Sequence, residues 1–156
     1  MHFQIKPLPA DAFSHLFELS DTALKESGAV REVVTAYPGT PCRVSLDDAQ
    51  IGETVILCNY KHQPAKSPYQ SSHAIFVRKN APQAAPAINE VPNVIRSRLI
   101  SLRFFDSNHM IILADVMDGN DVAQAISNAF EDPAIAYAHI HFAKPGCFAA
   151  AAYPVR

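Results

Sequence analysis

The segment AHIHFAKPGCF, residues 138–148, places two histidines and one cysteine within eleven positions. On a β-strand, side chains two positions apart project from the same face. His139 and His141 would therefore share a face, and an imidazole with an ordinary pKa of ~6.5 can act as acid, base or hydrogen-bonding group near neutrality. The Pro-Gly turn that follows could bring the thiol of Cys147 back towards the two rings. This segment is the first candidate for chemistry in the chain.

A second candidate is the sequence PGTPCR, in which Arg43 directly follows Cys42. A nearby cation favours the thiolate, and a nucleophilic cysteine also needs a base such as histidine. One hypothesis therefore makes Cys42 a nucleophile that is activated by His139 or His141. The alternative is that Cys42 packs in the core, because free cysteine is among the most buried residue types.

Arginines recur at predicted strand positions, and the planar guanidinium group suits carboxylate or phosphate. They are Arg43, Arg78, Arg98, Arg103 and the C-terminal Arg156. If several converge, they would hold an anionic small molecule; otherwise each pairs with an aspartate or glutamate on a solvated face. The chain has no phosphate-binding glycine loop and neither a GxSxG nor an HExxH motif, so the strongest nucleotide, hydrolase and zinc-protease signatures are missing.

A metal site is a further alternative, since Cys42, Cys147, His139 and His141 would supply four ligands of the types that zinc prefers. The short CxxC spacing of structural zinc sites is absent. The leading interpretation therefore assigns no metal ligand, and the sequence identifies no cofactor.

The elements that must position these residues are mostly strands. Short strands are predicted at HFQI, AVREVVTA, RVSL, TVILCNY and HAIFVRK, and two short helices between residues 11 and 28. Residues 80–93 are predicted to form a long surface connection. RLISLRFFD and HMIILADVM form a hairpin joined at SN, DGNDVAQAISNAF has helical periodicity, and IAYAHIHFA returns as a strand. The predicted fold class is α+β: a mostly antiparallel sheet with short helices packed on one face and a β-β-α-β C-terminal part.

Alternation divides the last of these strands into two faces. Ala138, Ile140 and Phe142 would pack under the helix, and Tyr137, His139 and His141 would point the other way. The strand RLISLRFFD divides similarly and puts Arg103 with its polar side chains. If the two strands lie in one sheet, Arg103 and both histidines share the outer surface, where they would meet water, a ligand or a partner.

Length and composition limit the number of domains, the binding partners and the location that we expect. The 156 residues, 49% of them hydrophobic, suit one folded domain over residues 1–156. A net charge of −2 argues against nucleic-acid binding. No apolar run reaches the ~20 residues that span a bilayer, and the N-terminus does not resemble a secretory signal. Three widely spaced cysteines do not suggest a disulfide framework, so we expect a reduced, cytoplasmic protein.

Four segments of the chain are PGTPCRVSLDDAQIGETVILCNY, SPYQSSHAIFVR, RSRLISLRFFD and AHIHFAKPGCF. Together they resemble a bacterial family of small proteins catalogued as domain of unknown function 1203. The resemblance covers nearly the whole chain and implies a single domain, but no activity. Carried over by position, it points to Cys42, Arg43, Pro68, Tyr69, Arg78, Arg103, His139, His141, Gly146 and Cys147. Where the family usually has asparagine after HxH, this chain has Phe142.

These observations favour a small protein that binds an anionic small molecule in a polar pocket. The ligand-binding residues would be Arg43, Tyr69, Arg78, Arg103 and Cys147, and the candidate catalytic residues are Cys42, His139 and His141. The alternatives are a cysteine-dependent enzyme with Cys42 as nucleophile, a protein-interaction module without catalysis, and a Cys/His metal site. The sequence does not indicate the oligomeric state.

Overall fold

A computed structural model describes residues 1–156. The strands are β1 (His2–Lys6), β2 (Val30–Val33), β3 (Thr54–Gln63), β4 (Ser71–Arg78), β5 (Leu99–Phe105), β6 (Ile111–Asp118), β7 (Tyr137–Phe142) and β8 (Phe148–Val155). The helices are α1 (Asp21–Glu26), α2 (Asn93–Arg96) and α3 (Val122–Ala129), with 3-10 turns at Ala10–Ala12, Ser14–Glu18 and Gly119–Asp121. None of these helices has the length and apolar character needed to cross a membrane.

The strands form two antiparallel sheets. The larger sheet has five strands in the order β1-β8-β7-β5-β6, and the smaller has three in the order β2-β3-β4. With so few and such short helices, this architecture confirms the predicted α+β class. The β5–β6 hairpin is also confirmed, although its connection runs from Asp106 to Met110 and is longer than the predicted SN.

The two faces of the large sheet are covered differently. On one face, Ala138, Ile140 and Phe142 pack in a core with α2 and with Val122 and Ile126 of α3. Alternation predicted this face. The opposite face packs against the small sheet, so that Phe148 and Ala151 share a second core with Ile56, Cys58, Ile75 and Val77. The small sheet thus covers the face that was expected to be an outer surface.

Helix α1 begins and ends as its residue types favour, whereas two strands differ from the sequence expectations. Ser20 caps α1, with its Oγ 3.1 Å from the backbone nitrogen of Ala23, and Gly28 follows the helix at a φ of +77°. RVSL does not form the expected strand but turns, with Leu46 at a φ of +51°. Strand β8 was not anticipated: FAAAAYPV is rich in alanine, which has little β preference, and pairing with β1 and β7 makes it a strand.

Candidate functional site

A cavity of about 600 Å³ opens beside the turn that joins β7 to β8. Its lining includes three basic side chains, Arg43, Arg98 and Lys144, together with the thiol of Cys147. None of its fourteen lining residues is acidic. The volume lies within the range of small-molecule sites, and the charge of the lining is positive.

Arg43 is the most unusual residue of this cavity, because its side chain is only 1% exposed and pairs with no carboxylate. Its Nε donates to the carbonyl oxygen of Phe148 at 2.7 Å, Nη1 donates to that of Pro41, and Nη2 lies 2.9 Å from Cys147 Sγ. The guanidinium also lies 5.0 Å from the ring centroid of Phe142. Burial lowers the pKa of Arg43, although arginine stays protonated in proteins. A buried charge without a counterion is costly.

The other two cations differ in how far their charge is compensated. Arg98 Nη2 lies 2.6 Å from Asp48 Oδ1, and the side chain of Asp48 is 8% exposed, so this ion pair is largely shielded from water. Arg98 also stacks on Phe142, with 5.2 Å between its guanidinium carbon and the ring centroid. Lys144 is exposed in the β7–β8 turn and forms no salt bridge. The lining therefore keeps a net positive charge at Arg43 and Lys144.

Cys147 places a thiol in this charged wall. The turn before it ends at Gly146, whose φ of +80° is the left-handed conformation that glycine tolerates best. Cys147 is buried but lines the cavity, and its Sγ is the one side-chain group that accepts a hydrogen bond from the Arg43 guanidinium. The thiol of Cys147 therefore lies both at the cavity and against the Arg43 guanidinium.

Cys42 lies next to this wall but does not line the cavity. It is 1% exposed, and its Sγ accepts from the backbone N–H groups of Arg78 at 3.3 Å and Ser45 at 3.5 Å. No histidine is among its hydrogen-bond partners. The structure thus places Cys42 in the core between the sheets, with Ile56 and Ile75.

Arg78 forms ion pairs outside the cavity. Its Nη2 lies 2.8 Å from Glu53 Oε1, and its Nη1 lies 2.9 Å from Asp47 Oδ1. The hydrogen bond from Arg78 lowers the pKa of Glu53. Two carboxylates compensate this guanidinium, and Arg78 does not line the cavity.

His139, His141 and Arg103 form a separate group on the inner face of the large sheet. Arg103 pairs with His139, and Ser101 with His141, across β5 and β7, which confirms the predicted common face. The expectation that this face is an outer surface was wrong, because the small sheet packs over it and leaves His139 5% and His141 1% exposed. Arg103 forms no salt bridge.

His62 completes this group from the small sheet. It follows Tyr60 at the irregular end of β3, where the pairing register with β4 shifts. Its ring centroid lies 4.9 Å from that of His141 and 5.8 Å from that of His139, and its ring stacks on Phe148 at 5.3 Å. One ring nitrogen from each of the three histidines lies within 4.8 Å of the other two. We refer to His62, His139 and His141 as the histidine cluster.

The electrostatics of the histidine cluster keep its imidazoles neutral. Burial lowers the pKa of His139 and of His141 to about 3, and that of half-buried His62 to about 4. The positive charge of Arg103 lowers all three pKa values further. Neutral imidazoles offer lone pairs that can bind a metal ion.

The predicted site residues thus do not share one cavity. Arg43 and Cys147 line it, Cys42 is buried behind them, and Arg78 forms its own ion-pair cluster. The ring of Tyr69 lies 6.3 Å from that of Phe105, on the side of the histidine cluster.

The predicted Cys2His2 set is not formed. The one group of three or more histidine, cysteine or acidic side chains that converge closely enough for a metal is the histidine cluster, which contains neither cysteine. Sequence reasoning missed His62 and Lys144, and it noted Arg98 without assigning it to the site. His62 follows the predicted strand TVILCNY and was expected to lie in a loop. Extension of the strand to His62 would have put it on the same face as Cys58 and Tyr60.

Comparison with known proteins identifies a family but no activity. No curated protein matches the chain, and no solved structure matches it. The profile of one family, described as Protein of unknown function (DUF1203), matches residues 39–153. That span contains the basic cavity lining with Cys147, the buried Cys42 and the whole histidine cluster. The chain therefore belongs to the DUF1203 family.

Proposed function

We propose that this protein binds an anionic small molecule, with a carboxylate or phosphate group, in the basic cavity. The observation that carries the proposal is Arg43, which lines the cavity and whose buried guanidinium has no carboxylate partner. Three of its N–H groups are used by Phe148, Pro41 and Cys147, so two donors remain. Burial removes the water that would otherwise stabilise this positive charge, and a bound anion would compensate the charge instead.

The neighbouring cations support the same class of ligand. Lys144 stands in the turn at the cavity and is free of salt bridges, so it can contact the acidic group of a ligand. Arg98 is held by Asp48 and stacked on Phe142, which fixes the direction of its donors. Phe76 and Leu57 also line the cavity and would contact an apolar portion of the ligand. This division of polar and apolar lining is typical of small-molecule sites.

Thermal unfolding tests this proposal. Purified protein is heated with a panel of mono-, di- and tricarboxylates and with inorganic phosphate. A ligand at a hundredfold excess over its Kd stabilises the folded state by about 2.7 kcal/mol. For a domain of this size, that stabilisation raises Tm by roughly 5 to 10 °C. The absence of any shift across the panel would count against the proposal.

A pair of charge reversals assigns the binding to the cavity. Lys144→Glu puts a carboxylate in the lining, and we expect it to weaken binding of the stabilising anion by about tenfold, from the size of exposed charge interactions. Lys66→Glu is the matched control, because Lys66 is an exposed residue of the β3–β4 connection outside the cavity. Equal weakening in both variants would indicate only a general effect of net charge. Both experiments are done in a chelator, so that bound metal does not contribute.

A further inference from the structure

We propose that the histidine cluster is a binding site for a divalent transition metal of the zinc type, with three imidazole ligands and an open fourth position. His139 and His141 come from β7 and His62 from the irregular end of β3, so the site bridges the two sheets. One ring nitrogen of each lies within 4.8 Å of the others. The proposed ion thus has ligands from strands that lie far apart in the sequence.

Unpartnered nitrogens are the first argument for this site. His62 Nδ1, His139 Nδ1 and His141 Nε2 are all buried and have no hydrogen-bond partner. They are the whole set of such side-chain atoms in the protein. Buried polar atoms are nearly always hydrogen-bonded, so three exceptions gathered in one cluster require an explanation. A metal ion would satisfy all three lone pairs at once.

The orientation of His141 is the second argument. Its Nδ1 lies 3.0 Å from the carbonyl oxygen of Gly146, an acceptor, so Nδ1 must carry the proton and donate. The proton on Nδ1 leaves Nε2 as an unprotonated lone pair, and Nε2 is the unpartnered atom. A ligand histidine commonly donates its other ring N–H to a backbone carbonyl in this way.

The spacing fits metal binding after a small adjustment. Tetrahedral zinc with Zn–N bonds of 2.0–2.1 Å holds its ligand nitrogens about 3.3 Å apart. The ring nitrogens, which lie within 4.8 Å of one another, would therefore approach by up to about 1.5 Å when the ion binds. His62 can supply that movement because it is only half-buried and lies within the irregular stretch between Tyr60 and Gln63.

Arg103 indicates what would occupy the fourth position. It lies on the same face, directly opposite His139 in the neighbouring strand, and has no carboxylate partner. Three neutral imidazoles leave the full charge of the ion uncompensated beside this guanidinium. We expect an anionic fourth ligand, either hydroxide from a bound water or a carboxylate, which both charges would favour.

Zinc titration tests the site. Chelator-treated wild-type protein is titrated with Zn²⁺ in competition with a chromophoric chelator, and we expect one equivalent to bind. His62→Gln removes one ligand at a half-buried position, and we expect the affinity to fall at least about tenfold. His15→Gln is the matched control, since His15 is exposed in the 3-10 turn Ser14–Glu18, outside both the cluster and the cavity, and the change should leave the affinity unchanged. Equal affinity in wild type and His62→Gln would overturn the proposal, as would the absence of stoichiometric binding in the wild type.

Ring-nitrogen spectra of the wild-type protein provide a second reading that needs no variant. In ¹H–¹⁵N correlation spectra, Zn²⁺ should shift the ring nitrogens of His62, His139 and His141. Shifts confined to histidines outside the cluster, such as His2 and His15, would contradict the assignment. Zinc binding at the histidine cluster does not depend on anion binding in the basic cavity, so failure of one proposal does not refute the other.

Discussion

The burial of His139 and His141 makes the stability of the metal-free protein depend on pH in a defined direction. Burial holds the pKa of each ring at about 3, whereas an unfolded chain has its ordinary value of ~6.5. Between these values the unfolded chain binds more protons than the folded protein, so acid favours unfolding. The stabilisation is complete above pH ~6.5 and is lost progressively as the pH falls towards 3.

The expected loss is large compared with the total stability of a domain. Between pH 7.5 and pH 5, each buried ring costs about 2 kcal/mol, from roughly 1.4 kcal/mol for every pH unit below the unfolded pKa. The two rings together lower the free energy of unfolding by about 4 kcal/mol, against a typical total of 5–15 kcal/mol. His62 acts in the same direction, but it is only half-buried and contributes less.

Urea unfolding in the presence of a chelator, at several values between pH 5 and pH 7.5, measures this dependence. Carboxylates titrate mostly below this range, so histidines dominate the slope. Replacing one ring, as in His139→Gln, should remove about half of the change that the two rings produce. A free energy of unfolding that varies by less than about 1 kcal/mol across this range would refute the reasoning, because it would mean that the rings are as free to take up protons in the folded state as in the unfolded state.

Three further outcomes follow from particular contacts. Iodoacetate should modify Cys147 in the native protein and leave Cys42 protected until denaturant is added, because Cys147 lines the basic cavity and Cys42 does not. A faster reaction at Cys42 would instead support a nucleophilic role for that residue. Gly119→Ala should destabilise the fold by about 1–3 kcal/mol or more in urea unfolding, since an added Cβ would lie 2.1 Å from the carbonyl oxygen of Ile95; an unchanged midpoint would contradict this packing. Arg103→Gln should raise the affinity for Zn²⁺ several-fold in buffer without coordinating anions, because the substitution removes a positive charge that repels the ion. Weaker Zn²⁺ binding by this variant would contradict that reasoning.

Strand alternation predicted much of the large sheet. It separated the residues that pack under α3 from those on the opposite face, and it placed Arg103 with His139 and His141. These relations depend on the period of a strand and on one strand pairing, which are local features of the sequence. The family resemblance, drawn from four quoted segments, was likewise confirmed.

The remaining features depend on contacts between distant parts of the chain. Alternation assigns a residue to a face but does not show what covers that face, and the packing of the small sheet turned an expected surface into a buried layer. His62 meets His139 and His141 only because the small sheet packs on the large one. Arg78 was predicted to bind a ligand, but its guanidinium forms ion pairs with Glu53 and Asp47.

The most direct test of the proposed function is a crystal structure of the complex with the carboxylate or phosphate compound that stabilises the protein most. We predict that the acidic group of the ligand lies in the basic cavity, within hydrogen-bonding distance of Arg43, Arg98 or Lys144. A ligand bound only outside this cavity, for example at Arg103, would contradict the account.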